Sequence, residues 1–194
     1  MPTERKYNIA LIAGYDVFAD EIKSHRNYVA ESYSFACQMG AEIIFTLGGA
    51  TNPDRLDLTE AQANAKILCQ IGCSKDMIVE IPEGNTPEES IHAAMRELKK
   101  NGIQAKKIII CTETASLTGF MMDALQKEFL DLGAEGIYVY GHRFPESGEI
   151  FPRQRKKILL RALSYKWEPF RLLRLFLHDR HQKKMAKRKR EEKQ

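Results

Sequence analysis

Short apolar runs alternate with amphipathic stretches along the first 150 residues of the chain. The apolar runs at 7–13, 43–47, 77–81, 107–111 and 137–140 predict five strands, mostly buried on both faces. Helices are expected from 21 or 24 to 39, from 57 to about 72, from 87 to about 102, and up to about 132. Strands and helices that alternate at this spacing indicate βαβ units and a mainly parallel sheet covered on both faces. We therefore predict one doubly wound α/β domain over residues 1–150.

Helix-start signals follow two of the predicted strands. Thr86 is a predicted N-cap, Pro87 takes the first helical position, and Glu89 completes a capping box three residues after the cap. Asp57 and Glu60 form a second predicted cap, and the polar loop 50–57 before it is expected to be exposed. Such strand–loop–helix junctions line the ligand crevice of open α/β sheets, although a cap requires no ligand.

The composition predicts a single globular domain with a short extension. The chain has 194 residues, of which 43% are hydrophobic and 29% charged. No Cys-x-x-Cys pair occurs, so we interpret the four cysteines as reduced, mostly buried thiols: Cys37, Cys69, Cys73 and Cys111. The first apolar run is too short for a signal peptide, and no run approaches the roughly 20 apolar residues of a membrane span. We expect a cytoplasmic protein.

The charge distribution divides the chain in two. Residues 153–194 hold 16 Lys/Arg and 4 Asp/Glu, whereas residues 1–152 hold 14 basic and 22 acidic residues. Residues 151–194 are therefore predicted to form a basic helical extension with a disordered or solvated end. Its basic residues stand beside Trp167, Phe170 and Phe176, a combination typical of segments that bind an anionic membrane surface. The basic cluster alone would also suit binding to nucleic acid. Peripheral membrane association is one consequence, and a solvated charge run is the alternative.

A ligand site is predicted where the loops after parallel strands meet at one edge of the sheet. The expected ligand-binding residues are Gly14, Asp16, Gly48, Gly49, Glu60, Asn85, Thr86, Thr112, Glu113, Thr114, Ser116 and His142. The glycines match neither Gly-x-Gly-x-x-Gly nor the P-loop pattern. No catalytic residues can be assigned, and no metal ligands are predicted. His142 is the best placed histidine, whereas His25 and His92 lie on predicted helices and are interpreted as structural or exposed.

The predicted rim of this site is acidic. Helix N-termini normally attract phosphate, but Glu88 and Glu89 occupy one of them and Asp57 and Glu60 another. The rim therefore favours a cationic ligand, a metal-associated phosphate, or hydroxyl groups that donate to carboxylates. Glu60 and Glu113 are expected to face the crevice.

Residues 7–140 resemble the SanA/YdcF/ElyC-like domain family. The resemblance is carried by Gly48-Gly49 after the second strand, Glu60 at a helix start, Asn85-Thr86 before the next helix, and a threonine-rich loop after the fourth strand. It implies a Rossmann-like fold. Together with the residue pattern, this predicts a three-layer α/β/α arrangement with a mainly parallel five-stranded sheet, followed by the C-terminal helical extension. It also implies a small nucleotide-like ligand, with S-adenosylmethionine as the candidate, and an unknown reaction.

The chain departs from the family pattern at two places. Glu89 stands where the family usually has Asn, and Gly119 replaces an Arg that usually follows a Thr-Ser-x-x-His run. These departures favour another ligand or lost activity. Two functions remain: a ligand-binding YdcF-like domain, or a non-enzymatic interaction protein with a vestigial pocket whose basic tail docks on an anionic partner.

Overall fold

The computed structural model describes residues 5–14, 23–52, 55–84, 87–113, 129–130 and 132–142, with only the backbone described at 87, 88 and 113. The strands are β1 (Lys6–Ile12), β2 (Ile43–Leu47), β3 (Ile78–Ile81), β4 (Gln104–Glu113) and β5 (Gly136–His142). The helices are α1 (Lys23–Gln38), α2 (Glu60–Gln70) and α3 (Pro87–Lys100), and a short 3-10 turn precedes β3.

The five strands form one sheet in the order β3-β2-β1-β4-β5, and every neighbouring pair is parallel. β1 is therefore the central strand, with β2 on one side and β4 on the other. This arrangement confirms the predicted Rossmann-like α/β fold with a parallel five-stranded sheet. The predicted extension at 151–194 lies outside the described residues.

The core consists of two apolar layers on opposite faces of the sheet. Leu11 and Ile110 point to the face covered by α3, where they pack with Leu98. Their neighbours along the strands, Ile12 and Ile109, point to the face covered by α1 and α2. The alternation follows from the two-residue period of a strand, and it explains why the central strands are apolar at every position of their middle parts, 9–12 and 108–111.

Two strands extend beyond their predicted ends. The sequence pattern ended the fourth and fifth strands at Cys111 and Tyr140 and placed Thr112 and Glu113 in a loop. In the structure Thr112 pairs with Gly141 and Glu113 with His142, so the ladder continues through these polar positions. Backbone pairing, which does not depend on side-chain polarity, sets the strand ends here.

The cap of α2 differs from the prediction. The N-cap is Thr59, whose hydroxyl accepts from the N–H of Gln62, while the Gln62 side chain accepts from the N–H of Thr59. Asp57 instead accepts from Arg55 at 3.0 Å. α3 begins at Pro87, as predicted, while the predicted cap Thr86 lies outside the described residues.

The predictions for the exposure of the loop 50–57 and for the burial of the cysteines were wrong in part. Ala50 is buried although its loop was predicted to be exposed. Cys73 and Cys111 are buried free thiols, whereas Cys37 and Cys69 are exposed.

Of the predicted fourth helix, the structure describes only a helical segment at 129–130. In the part of the chain described, no helix is both long enough and apolar enough to cross a membrane.

The capping assignment can be tested by two substitutions. Thr59→Ala should lower the free energy of unfolding by about 1 kcal/mol, because the first turn of α2 loses its side-chain acceptor. Asp57→Ala should cost clearly less than Thr59→Ala, because the ion pair of Asp57 with Arg55 is solvent-exposed. Urea denaturation measures both, and a larger loss for Asp57→Ala would contradict the assignment.

Candidate functional site

The carboxyl edge of the sheet gathers several of the predicted ligand-binding residues. β1 ends between β2 and β4, and the strand order changes direction there, which is where open α/β sheets bind ligands. The structure brings the following to this edge: Gly14, Gly48, Gly49, Glu60, Thr112, the backbone of Glu113, and His142. The remaining predicted residues lie outside the described part of the chain: Asp16, Asn85, Thr86, Thr114 and Ser116.

Buried polar side chains from α1 and α2 hold the end of β1. The Tyr28 hydroxyl lies 2.8 Å from the carbonyl oxygen of Ala13 and 3.0 Å from that of Cys111. Asn64 donates its amide to the same Ala13 oxygen at 3.1 Å. The Asn64 oxygen must then accept, so His25 donates to it from Nε2 at 2.8 Å. Side chains of both helices thus fix the floor of the crevice.

Glu60 turns inward from the first turn of α2 and packs against two glycines. A Cβ atom on Gly14 or on Gly48 would overlap its carboxylate oxygen Oε2. The other oxygen, Oε1, accepts a short hydrogen bond from the Thr51 hydroxyl. Glu60 is only 9% exposed. The glycines therefore provide the space for a buried carboxylate at the point where the strand order reverses.

The N-terminus of α2 has no free N–H groups in its first turn. Its first three N–H groups donate to the carbonyl of Gly49, the carbonyl of Gly48 and the hydroxyl of Thr59, each at 3.1 Å. An anion at a helix terminus is bound mainly by such groups. Because they are already used and Glu60 adds a carboxylate, this terminus does not suit an unmasked phosphate.

A second polar cluster lies at the end of β5. His142 Nδ1 and the Tyr140 hydroxyl approach the same oxygen of Glu31, at 2.8 Å and 2.6 Å. The hydrogen bond from Tyr140, followed by the contact with His142, lowers the pKa of Glu31. Burial, with a smaller contribution from Glu31, raises the pKa of Tyr140 to about 12. The cluster adjoins the first one, because the rings of His142 and Tyr28 are 5.6 Å apart.

Sequence analysis did not single out the residues that connect these groups. Tyr28, Asn64 and Glu31 were not assigned a role in the predicted site. A signal was present for Asn64, because it follows Glu60 by four positions and so shares its helix face. A polar pair on the face that also carries buried Ala61 and Leu68 indicates a buried polar contact.

Other site types receive no support from the described residues. No three His, Cys, Asp or Glu side chains among them are arranged to hold a metal ion. A concavity of about 450 Å³ lies at the opposite, amino edge of the sheet, lined in part by Leu98, Lys99 and Ile103. It is remote from the strand ends at which the predicted site residues gather.

The fold and these contacts define a class: a doubly wound parallel α/β domain with a buried polar site at its carboxyl edge. Comparisons with protein-family models, curated proteins and solved structures found no match to this chain. The resemblance to the SanA/YdcF/ElyC-like family therefore stays a prediction.

The packing of Glu60 against Gly14 can be tested with a double-mutant cycle. Gly14→Ala should destabilise the domain, and much of the loss should vanish in a Glu60→Gly background, since the three atoms nearest to the added methyl group all belong to Glu60. We expect a coupling energy of about 0.5–3 kcal/mol from urea denaturation. Gly72→Ala is the control, because this glycine has a φ of +95° and open space around it, so its cost should not depend on residue 60. Additive losses for Gly14→Ala would contradict the packing.

Proposed function

We propose that the domain binds a small nucleotide-like ligand in the crevice at the carboxyl ends of β1, β2 and β4, as the resemblance to SanA/YdcF-like domains implies. The observation that carries the proposal is the buried carboxylate of Glu60 at the strand-order reversal. Open α/β sheets bind ligands at the point where the strand order reverses, and a buried carboxylate there is a polar group that a ligand can meet.

The chemistry of the crevice favours a ligand that donates rather than accepts hydrogen bonds. A carboxylate only accepts, so it pairs with ribose hydroxyls or with a cationic group. The closed N-terminus of α2 disfavours an unmasked phosphate. S-adenosylmethionine has ribose hydroxyls, an ammonium group and a sulfonium group, and it carries no phosphate. It is therefore the candidate ligand, with an unassigned reaction.

A ligand panel tests this proposal. We expect S-adenosylmethionine or adenosine to raise the melting temperature, AMP and ATP alone to have little effect, and ATP with Mg²⁺ to be intermediate. A ligand at 100 times its Kd adds about 2.7 kcal/mol of stability, which thermal-shift assays detect. Glu60→Gln should weaken the stabilising ligand about tenfold or more.

Glu83→Gln is the matched control for this experiment. Glu83 follows β3 at the same edge, but its side chain is 66% exposed and pairs with Arg96. Its substitution should leave ligand affinity unchanged. Equal losses of ligand affinity in both variants would show that Glu60 acts only through its long-range charge. If no compound of the panel stabilises the protein, ligand binding is contradicted.

A second candidate function is favoured by the charge of residues 153–194, which carry 16 basic and 4 acidic residues. This segment would dock the protein on an anionic partner, either a membrane surface or a nucleic acid, whether or not the crevice retains a ligand. The charge block at 183–190 contains six Lys or Arg in eight positions.

Deletion of residues 183–194 tests this candidate. The intact chain should bind anionic liposomes or RNA without sequence preference, and binding should weaken steeply with salt because counterions are released on association. The truncated chain should lose most of this binding. Co-sedimentation and filter binding at low and moderate salt measure it, and equal binding by both chains would contradict a docking role.

A further inference from the structure

β5 carries exposed apolar side chains on both of its faces. Tyr138 is 38% exposed and Val139 is 39% exposed. Their partners on β4, Ile109 and Ile110, belong to the two core layers on opposite faces of the sheet, so the two side chains point to opposite faces as well. Leu130, shortly before this strand, is the third large apolar side chain that is exposed in the described part of the chain. The exposed large apolar side chains of that part are thus concentrated at and before β5.

The two outer strands of the sheet differ in how they are protected from pairing with another strand. Natural edge strands avoid such pairing by being short or by carrying charged residues and proline. β3 has four residues, exposes Glu80 and is followed at once by Pro82. β5 has seven residues and contains no Lys, Arg, Asp, Glu or Pro. Among the described strands it pairs with β4 alone, which leaves β5 as the edge suited to a further strand.

We propose that a second copy of this chain pairs with β5 in an antiparallel arrangement, so that two five-stranded sheets join into one continuous sheet. Two-fold symmetry, the commonest symmetry of homo-oligomers, makes each β5 the partner of its own copy. The register centred on Val139 pairs all seven residues of both strands. Val139 then faces its own copy, and Tyr138 faces Tyr140 of the second copy. Aromatic cross-strand pairs of this kind stabilise antiparallel sheets.

Charges beside the two tyrosines favour this partner and this register. The ammonium group of Lys107 lies 5.7 Å from the centre of the Tyr138 ring. The carboxylate of Glu31, which is half exposed, accepts from the Tyr140 hydroxyl on the same face of the sheet. Because Tyr138 of one copy faces Tyr140 of the other, each Lys107 is brought towards Glu31 of the second copy, and symmetry repeats the attraction. A second copy therefore supplies both the matching strand and the matching charges.

Sedimentation velocity of the full chain tests the proposal. We expect a dimer of twice 22.2 kDa whose share rises as the concentration increases from low micromolar to several hundred micromolar. Val139→Lys should keep the chain monomeric, because two ammonium groups would lie directly opposite each other at the symmetry axis. Gln70→Lys is the matched control, since it adds the same charge at an exposed position of α2, which packs beside β2 and β3. This control should dimerise as the wild type does.

Chemical crosslinking locates the contact. Val139→Cys should give a covalent dimer with a short bismaleimide, because the two thiols face each other across the strand pair. The wild-type chain, with its four native cysteines, measures the background. The concentration series and the crosslink decide even if Val139→Lys does not fold.

Several results would overturn the proposal. One is a chain that stays monomeric throughout the concentration range, which is also the result expected if the chain's own C-terminal residues cover this edge. Another is a dimer that Val139→Lys leaves intact or that both lysine variants weaken equally. A third is a Val139→Cys chain that crosslinks no more than the wild type.

Discussion

The main-chain carbonyl of Ala13 follows the end of the central strand β1 and needs hydrogen-bond donors there. A buried carbonyl without a donor costs about 1–3 kcal/mol. Tyr28 of α1 and Asn64 of α2 both reach this oxygen. Because the two donors come from different helices, the end of β1 fixes where both helices begin relative to the sheet. The geometry of the crevice therefore depends on this single acceptor.

The glycines of the crevice have a different role from the one that their positions indicate. Gly14 and Gly48 follow strands, where glycine often lets a phosphate approach the backbone. Here they let the carboxylate of Glu60 approach instead. The carbonyls of Gly48 and Gly49 then accept from the first N–H groups of α2. The same loop thus leaves room for a buried carboxylate and also occupies the N–H groups through which the N-terminus of α2 could otherwise bind an anion.

Sequence alone was sufficient for the five strands and their parallel arrangement, because these follow from apolar periodicity. It was insufficient where two neighbouring residues offered the same local signal. Asp57 and Thr59 could each cap α2, and the choice depends on contacts with Gly48 and Gly49 that are distant from both in the pattern. The role of Tyr28 could not be predicted from the sequence either, because its ring fits an apolar helix face. Its hydroxyl lies within hydrogen-bonding distance of the carbonyl oxygens at the ends of β1 and β4.

α1 connects the two polar clusters at the carboxyl edge. His25, Tyr28 and Glu31 are spaced three residues apart, so they lie along one side of the helix over two turns. The first two support the end of β1 and the third supports the end of β5. Glu31 is half exposed, so its attraction to His142 is partly screened and contributes mainly by fixing a direction. A small rotation of α1 would disturb both clusters at once, and for this reason the helix, rather than either strand, determines how the ends of β1 and β5 act together.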